Sequence, residues 1–387
     1  MFRKQQSKLK PKELALVAAP LLVVLCAFGS SKIKALLQSR WAQSRTSSPV
    51  RRPQLTGVTS VTFSPDGQRL ASGSENGAIK LWSVHTGALL RTLRSKGKWV
   101  TAVAFAPNGH MLAGTSGSSL YLWNLPSGRL KVLTGCQPRI SSVTFSPNGQ
   151  LVAVGSGTGG IYRGSGAICL WQIQTSKMQA SLKGNVAYVG SVTFSPDGKS
   201  LAASCGVDKG VQSKPNPTNL VRLWNVKTKT IQWEVKGGYA EGDVAFSVDG
   251  QLLAVGDTIP KLLNARTGKP VAPLAPLPSS AWHIAFSTDG KVLAGGGMHG
   301  PLVFWDTTNG KWIDWGNGLD HYSVRSLVFS PDGKRLASGD SQGIVKIWDV
   351  SQLNQRKQLP NPQLISHLNL LMTLDTIKGQ VIAAKKA

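Results

Sequence analysis

A seven-residue pattern that recurs seven times constrains the fold of this chain more than any other feature. The first copy occupies residues 61–67 with the sequence VTFSPDG, and the glycines of successive copies lie 40 to 52 residues apart. The later copies begin at Val103, Val143, Val192, Val244, Ile284 and Leu327. Repeats of this length are typical of solenoids and propellers, because each repeat can bury its apolar face only against the next one.

Each copy has the local sequence of a β-hairpin followed by a third strand. The alternating Val-x-Phe segment is typical of a strand, and the Pro, the Asp or Asn and the Gly after it suit the successive positions of a tight turn. A second strand follows this turn, for example at residues 69–73, and a third strand ends in a large apolar residue. That column contains Trp82, Trp123, Trp171, Trp224, Leu263, Trp305 and Trp348.

The Trp column has two interpretations, a ladder on which ligands stack or a set of packing residues. Burial of one Trp removes roughly 150–250 Å² from water, which at about 25 cal/mol per Å² is worth roughly 4–6 kcal/mol before entropy costs. A core accepts Leu263 in place of Trp more readily than a stacking site would. We therefore predict that the column packs the core.

The repeats resemble the WD-repeat β-propeller family over about residues 50–350. A Trp-Asp pair ends the sixth and seventh copies, at Trp305-Asp306 and Trp348-Asp349, whereas the Gly-His pair of the family is replaced, for example by Gly135-Cys136. The resemblance implies an all-β, seven-bladed β-propeller with four strands in each blade. It also implies that the fourth strand of the last blade comes from the N-terminal side, for which residues 53–57 are the candidate.

An uncharged segment near the N-terminus is long enough to cross a membrane. Residues 14–31 follow five cations, and as a helix these 18 residues would cover about 27 Å of the ~30 Å hydrocarbon core. We interpret the segment as a retained signal anchor. A cleavable signal peptide, with small residues at Ala27 and Gly29, and a buried core helix are the alternatives. The expected localisation is a single-pass membrane protein with a cytoplasmic N-terminus and the propeller on the far side, or a secreted protein after cleavage.

Four segments are therefore expected along the chain. They are a signal anchor or signal peptide at residues 1–31, a basic linker at 32–49, the propeller at 50–350 and a C-terminal tail at 351–387. Within the tail, apolar residues at helical spacing predict a short amphipathic helix over about residues 363–376.

Two neighbouring loops on one face of the predicted disc are enlarged. We call this the loop face, because it carries the loops that lead into the first strand and into the Trp strand; the Pro-Asp-Gly turns form the opposite turn face. Residues 156–167 and 206–219 lengthen the Phe-to-Trp spacing to 26 and 30 residues in the third and fourth copies, against 17 to 19 elsewhere. Six residues before the motif Phe, copies two to four carry Trp99, Arg139 and Tyr188, where the other copies carry small residues.

Aromatic and Arg side chains are favoured anchors of protein interfaces, so we predict that partner proteins bind this sector. The loop face is taken to be the wide face of the propeller. The candidate partner-binding residues are Trp99, Arg139, Tyr188, Tyr162, Arg163, Lys209 and Lys214. In the alternative interpretation, Trp99 and Tyr188 pack sideways on neighbouring loops.

The positive charge is concentrated in the first half of the chain. The formal net charge is +26, from 44 Lys and Arg and 18 Asp and Glu. Residues 1–53 contribute 11 cations and 1 anion and residues 54–206 contribute 13 and 3, whereas residues 207–350 are nearly balanced at 15 and 13. An acidic partner or an anionic lipid surface would fit this excess. Nucleic acid is disfavoured, because no Lys- and Arg-rich run with interleaved aromatic residues is present.

The sequence contains no pattern that predicts catalysis. The six His residues are spread over different repeats, and neither an H-E-x-x-H motif nor a P-loop is present. Asp243, Asp257 and Asp320 lie near loop ends and are interpreted as turn caps. We therefore predict a noncatalytic protein–protein interaction scaffold without cofactor or metal. A propeller enzyme that uses the central pocket and a polyanion or nucleic-acid binder remain as alternatives, because fold alone does not fix function.

Overall fold

The computed structural model consists of seven antiparallel sheets, and it confirms the predicted all-β propeller. The described residues contain 29 strands and no α-helix. They are residues 56–97, 99–136, 138–157, 166–206, 219–237, 242–276, 280–297, 301–316, 323–353, 369–375 and 380–384.

The first four blades each consist of four consecutive strands, so every sheet comes from one continuous segment of sequence. Their strands are β1 Val58–Phe63, β2 Arg69–Ser74, β3 Ala78–Ser83, β4 Leu89–Arg94; β5 Ala102–Phe105, β6 Met111–Ser116, β7 Ser119–Asn124, β8 Leu130–Leu133; β9 Ile140–Phe145, β10 Leu151–Ser156, β11 Gly166–Gln172, β12 Met178–Val186; β13 Tyr188–Phe194, β14 Ser200–Gly206, β15 Leu220–Asn225 and β16 Ile231–Lys236.

The fifth and sixth blades also have four strands, whereas the seventh has five. Their strands are β17 Val244–Phe246, β18 Leu252–Val255, β19 Lys261–Asn264, β20 Pro270–Pro273; β21 His283–Phe286, β22 Val292–Gly296, β23 Leu302–Asp306, β24 Trp312–Gly316; β25 Val324–Phe329, β26 Arg335–Asp340, β27 Ile344–Asp349, β28 Asn369–Asp375 and β29 Gln380–Ala384.

The first strand of each blade is innermost, and these seven strands close the ring. Each contacts the first strand of the next blade, and β25 of the last blade contacts β1 of the first. Hydrogen bonds reinforce the contact: the Val103 amide donates to Ser60 Oγ at 3.1 Å, and the Val61 amide donates to Ser326 Oγ at 3.0 Å. Each apolar cluster combines two neighbouring blades, so the core is continuous around the ring.

The Trp column packs the core, as predicted. Trp82 and Trp305 are fully buried, and Leu263 is equally inaccessible in the fifth blade. The Trp82 indole donates to Ser72 Oγ at 2.9 Å, and Trp348 makes the equivalent bond at 3.0 Å in the seventh blade. These bonds satisfy the only polar atom of each buried indole, which would otherwise be costly to bury.

The predicted closure of the ring by the N-terminal side is wrong. The fourth strand of the seventh blade is β28, which pairs with β27 in antiparallel register, Leu374 opposite Val345 and Met372 opposite Ile347. Thr56 and Gly57 lie outside any strand, and residues 53–55 lie outside the described residues. The open edge of β27 is therefore covered by chain from its C-terminal side, and the repeats coincide with the blades.

The prediction of a C-terminal helix is wrong where β28 forms. Of residues 363–376, residues 369–375 form β28, while the others lie outside the described residues. Leu374 is fully buried and Met372 nearly so. The segment forms a strand because the edge of β27 offers partners for its backbone hydrogen bonds, and the helical spacing of the apolar residues does not reveal this edge. Residues 14–31 also lie outside the described residues, within which no helix is long and apolar enough to cross a membrane.

Six of the seven hairpin turns of the turn face share one pair of side-chain hydrogen bonds; the second has Ala106 in place of the Ser and keeps only the amide bond. In the fourth blade, Asp197 Oδ1 accepts bonds from the Ser195 hydroxyl at 2.6 Å and from the Lys199 amide at 3.0 Å. These two bonds hold the pKa of Asp197 below its usual range, and equivalent bonds lower the pKa of Asp249. Asn148 accepts the same two bonds in the third blade, so the turn geometry does not itself require a charge.

Loss of these bonds on protonation predicts a specific acid sensitivity. Because the pKa values of Asp197 and Asp249 are lower in the folded state, their contribution to stability is present above the unfolded pKa of about 4 and is lost as the pH falls through the folded values. We expect an Asp197→Asn/Asp249→Asn variant to keep its melting temperature at pH 7 and to lose less stability than the wild type between pH 4 and pH 2. Thermal unfolding followed by circular dichroism tests this, and parallel pH profiles for both proteins would contradict it.

Candidate functional site

The hydrogen bonds of the connecting loops establish which segments share the loop face. The Ser95 amide donates to the Gly77 carbonyl at 3.0 Å, and the Val100 amide donates to the Ser74 carbonyl at 3.1 Å. The loop that enters the second blade thus lies beside the β2–β3 turn of the first. The Pro-Asp-Gly turns lie at the opposite ends of the same strands, as the antiparallel pairing requires.

Trp99 projects from this face on a firmly held backbone. The Trp99 residue is 55% exposed, whereas the next residue, Val100, is fully buried. The Val100 carbonyl also accepts a bond from the Thr59 hydroxyl at 2.7 Å. The buried Val100 holds the backbone in place while the Trp99 indole stays exposed to solvent. A large exposed aromatic side chain on a held backbone is a suitable anchor for a partner protein.

Arg139 has an unusual backbone conformation at the equivalent position of the next loop. Its φ is 61°, in the left-handed region that costs a non-glycine residue about 1–2 kcal/mol. The Arg139 carbonyl accepts a bond from the Gly157 amide at 3.2 Å, and the buried Ile140 donates to the Gly117 carbonyl at 2.7 Å. Both contacts hold the peptide unit that joins Arg139 to Ile140, and Arg139 itself is exposed. Local strain that the surrounding structure maintains is a feature of functional sites.

Tyr188 lies where the bases of the two enlarged loops meet. It begins β13 opposite Gly206, the last described residue before the fourth-blade loop. On its other side is Gly157, the last described residue before the third-blade loop; a Cβ on Gly157 would lie 2.8 Å from Tyr188 Cα. The structure thus brings both Arg139 and Tyr188 against Gly157. Tyr162, Arg163, Lys209 and Lys214 lie outside the described residues.

A disulfide that was not predicted from the sequence lies next to this site. Cys136 and Cys169 are bonded, with Cα atoms 6.0 Å apart and 33 residues of separation in sequence. Cys136 stands three residues before Arg139, in the place of the family's Gly-His pair, and ties that loop to β11 of the same blade. The available signal was the placement of both Cys in one repeat, although no C-x-x-C spacing marks them. Cys205 is free and buried, and burial raises its thiol pKa to about 12.

An Asp–His pair at the start of two neighbouring innermost strands was also not predicted: Asp243 directly precedes β17, and His283 begins β21. Asp243 Oδ2 lies 3.1 Å from His283 Nδ1 and accepts the Ile284 amide at 3.4 Å. Asp243 therefore bonds the next blade, as Ser60 and Ser326 do from the same repeat position, and its interpretation as a turn cap is wrong. Among the described residues, no hydroxyl or thiol bonds His283, and no group of three or more His, Cys, Asp or Glu is placed to hold a metal ion.

The remaining two acidic residues differ in outcome. Asp257 accepts the Thr258 amide at 2.7 Å and pairs with Lys261 at 3.2 Å, which agrees with its interpretation as a turn cap. Asp320 lies outside the described residues.

Comparison with family models finds five matches to the "WD domain, G-beta repeat" description. They cover residues 49–83, 87–124, 127–172, 176–212 and 318–349. The segment between the last two matches contains the fifth and sixth blades, which the structure nevertheless forms as four-stranded sheets. The fifth blade has Leu263 in the Trp column and shorter strands, so its sequence departs furthest from the repeat pattern.

Several curated proteins are similar over most of the propeller or over part of it. A guanine nucleotide-binding protein subunit beta of Oryza sativa subsp. indica is 26% identical over 271 residues, which is 65% of this chain and 68% of that protein. WD repeat and SOCS box-containing protein 1 of Xenopus tropicalis is 30% identical over 256 residues, 63% and 58% of the two chains. Small ribosomal subunit protein RACK1 of Caenorhabditis elegans is 36% identical over 85 residues, 22% and 25%.

Proposed function

The chain belongs to the WD-repeat β-propeller family, and from this premise we propose that it is a noncatalytic scaffold that binds partner proteins on its loop face. The observation that carries the proposal is the arrangement of Trp99, Arg139 and Tyr188. They lie at the entry to three consecutive blades, and two of them, Arg139 and Tyr188, lie beside Gly157 at the base of an enlarged loop. An exposed indole, an exposed guanidinium on a held backbone and a half-buried phenol have the composition of an interface centre.

The names of two relatives support a role in assemblies. One relative is a subunit of a guanine nucleotide-binding protein, and another is a protein of the small ribosomal subunit. Each name describes a component of a larger complex. Within the described residues, Asp243 and His283 form hydrogen bonds that join two blades. This pair therefore does not support the alternative hypothesis of an enzyme with its active site in the central channel.

The scaffold would be tethered to a membrane by residues 14–31, with its N-terminus in the cytoplasm and the propeller on the far side. The charge pattern and length of that segment support the tether, and the disulfide between Cys136 and Cys169 supports the far side. Structural disulfides persist in oxidising compartments and are rare in the cytosol. Signal-peptide cleavage would instead give a secreted propeller.

Partner capture by variants of the loop face tests this function. We expect the Trp99→Ala/Tyr188→Ala variant of the full-length protein to recover far less crosslinked partner from its native membranes. Truncation of one hot-spot aromatic typically costs about 2 kcal/mol, a factor of roughly 30 in affinity. Arg139→Gly should act in the same direction, because Gly adopts the left-handed backbone readily and removes the Arg side chain.

A matched control is available on other surfaces. Val248 and Val271 are 57% and 52% exposed, and neither lies on a loop entering a first strand. The Val248→Ala/Val271→Ala variant should therefore capture partner as the wild type does. Equal capture by the loop-face variant, with an unchanged melting temperature, would rule out the proposed site. A steep loss of wild-type capture with salt would favour polyanion binding instead.

A further inference from the structure

The outer rim of the first three blades exposes an unusual number of apolar side chains. Their outermost strands are β4, β8 and β12, and five residues on them are 37–54% exposed. These residues are Leu89, Leu90, Leu130, Val132 and Met178. The outermost strands of the fourth and fifth blades carry one such residue each, Ile231 and Val271. We call the surface formed by β4, β8 and the start of β12 the basic rim.

Cations accompany these apolar residues, and the sequences of β4, β8 and β12 contain no Asp or Glu. Arg91 and Arg94 lie on β4, Lys131 lies on β8, and Arg129 and Lys177 directly precede β8 and β12. All five side chains are exposed. The sequence contains no Asp or Glu between residues 76 and 196, whereas the outermost strands of the fourth and sixth blades each contain one. The charge of the basic rim is therefore uncompensated by its own strands.

Hydrogen bonds between blades make the basic rim one continuous surface. Arg91 Nη1 donates to the Leu125 carbonyl of the second blade at 3.3 Å. Lys131 Nζ donates to Ser176 Oγ of the third blade at 3.2 Å. Each cation thus spans the groove to the next blade, and the three outermost strands present their side chains together.

We infer that the basic rim binds the anionic headgroups of a lipid bilayer. Exposed aliphatic side chains interleaved with Lys and Arg combine shallow insertion at the headgroup boundary with attraction to anionic lipids. A protein partner fits this surface less well, because β4, β8 and β12 contain no aromatic residue, and aromatic anchors are enriched in protein interfaces. The rim is distinct from the loop face, so a scaffold could bind lipid and partner together. The inference holds whether or not residues 14–31 span a bilayer.

The test follows amide hydrogen exchange of the full-length protein in the presence of lipid nanodiscs. One set of discs is phosphatidylcholine alone, and the other contains about a third phosphatidylserine. We expect the amides of β4, β8 and β12 to exchange severalfold more slowly with anionic discs at low salt, and not with neutral discs. Retention of the protein on neutral discs reports the proposed tether separately, so failure of the tether and failure of the rim can be distinguished.

A triple variant of the basic rim and a matched control variant test whether anionic lipid binds the rim or is attracted by exposed cations anywhere on the propeller. The Arg94→Gln/Arg129→Gln/Lys177→Gln variant leaves the two interblade bonds in place. Each cation near an anionic leaflet strengthens binding roughly fivefold, so the three substitutions should weaken apparent affinity for anionic discs on the order of 100-fold. Lys227→Gln/Arg266→Gln/Lys269→Gln removes the same charge from exposed positions on the fourth and fifth blades and should retain the protection.

Three results would overturn the inference. The first is equal exchange with neutral and anionic discs, and the second is an equal loss of protection in the control variant. The third is protection of the same strands by heparin in the absence of any protection by anionic discs, which would assign the basic rim to a soluble polyanion.

Discussion

Removal of residues 369–387 should destabilise the propeller far more than removal of residues 1–55. This deletion takes away β28 and β29, and with β28 the fourth strand of the seventh blade. Met372 and Leu374 belong to the apolar cluster between the seventh and first blades, together with Val58 and Trp82. A point variant at the same place gives a measurable version. Leu374 is fully buried, so Leu374→Ala should lower the free energy of unfolding by about 2–5 kcal/mol.

The first blade also depends on these two strands. A Cβ on Gly87, in the β3–β4 turn, would lie 2.5 Å from Val381 of β29 and 2.6 Å from the Met372 sulfur. The C-terminal strands thus pack against the first blade across the point where the ring closes. The ion pair between Arg325 and Glu75 joins the same two blades at the loop face.

Deletion of residues 1–55 is the matched comparison. Because β28 occupies the position that residues 53–57 were expected to fill, we expect this deletion to change the melting temperature little. Chemical denaturation of both truncated proteins measures the difference. The opposite result would be a stable protein that ends at residue 368 and an unfolded protein that begins at residue 56. That result would support closure of the ring by the N-terminal segment instead of by β28.

Reduction of the disulfide between Cys136 and Cys169 should produce the second large effect. A crosslink across 33 residues restricts the unfolded chain, and bonds of this kind typically contribute about 2–4 kcal/mol. We expect the Cys136→Ala/Cys169→Ala variant to lose this amount of unfolding free energy. Capture of partner should also fall, because the bond holds the loop that carries Arg139.

The redox comparison supplies its own control. Reductant should lower the denaturation midpoint of the wild type and leave the Cys136→Ala/Cys169→Ala variant unchanged. The remaining thiol within the described residues, Cys205, is fully buried with a raised pKa and is not reactive. Identical midpoints for the oxidised and reduced wild type would show that the crosslink does not stabilise the fold.

Part of the candidate site was predictable because it follows the repeat register. Trp99, Arg139 and Tyr188 occupy one position in successive copies, and the excess length of two neighbouring copies marks the enlarged loops. The left-handed conformation of Arg139 was not predictable, because Arg carries no preference for it. The contact of Gly157 with Tyr188 joins two blades and depends on how the ring packs them.

The number of blades, the three inner strands of each, the hairpin turns and the buried Trp column could all be predicted from the repeats. These features follow from local turn chemistry and from an apolar pattern repeated seven times. Tertiary structure alone decided how the ring closes, which Cys residues pair, and that Asp243 meets His283 on the next blade. Each of these depends on segments far apart in sequence. Residues near 370 have helical spacing but form the strand β28, because the edge of β27 has backbone groups that need hydrogen-bond partners. A local sequence pattern contains no information about that distant edge.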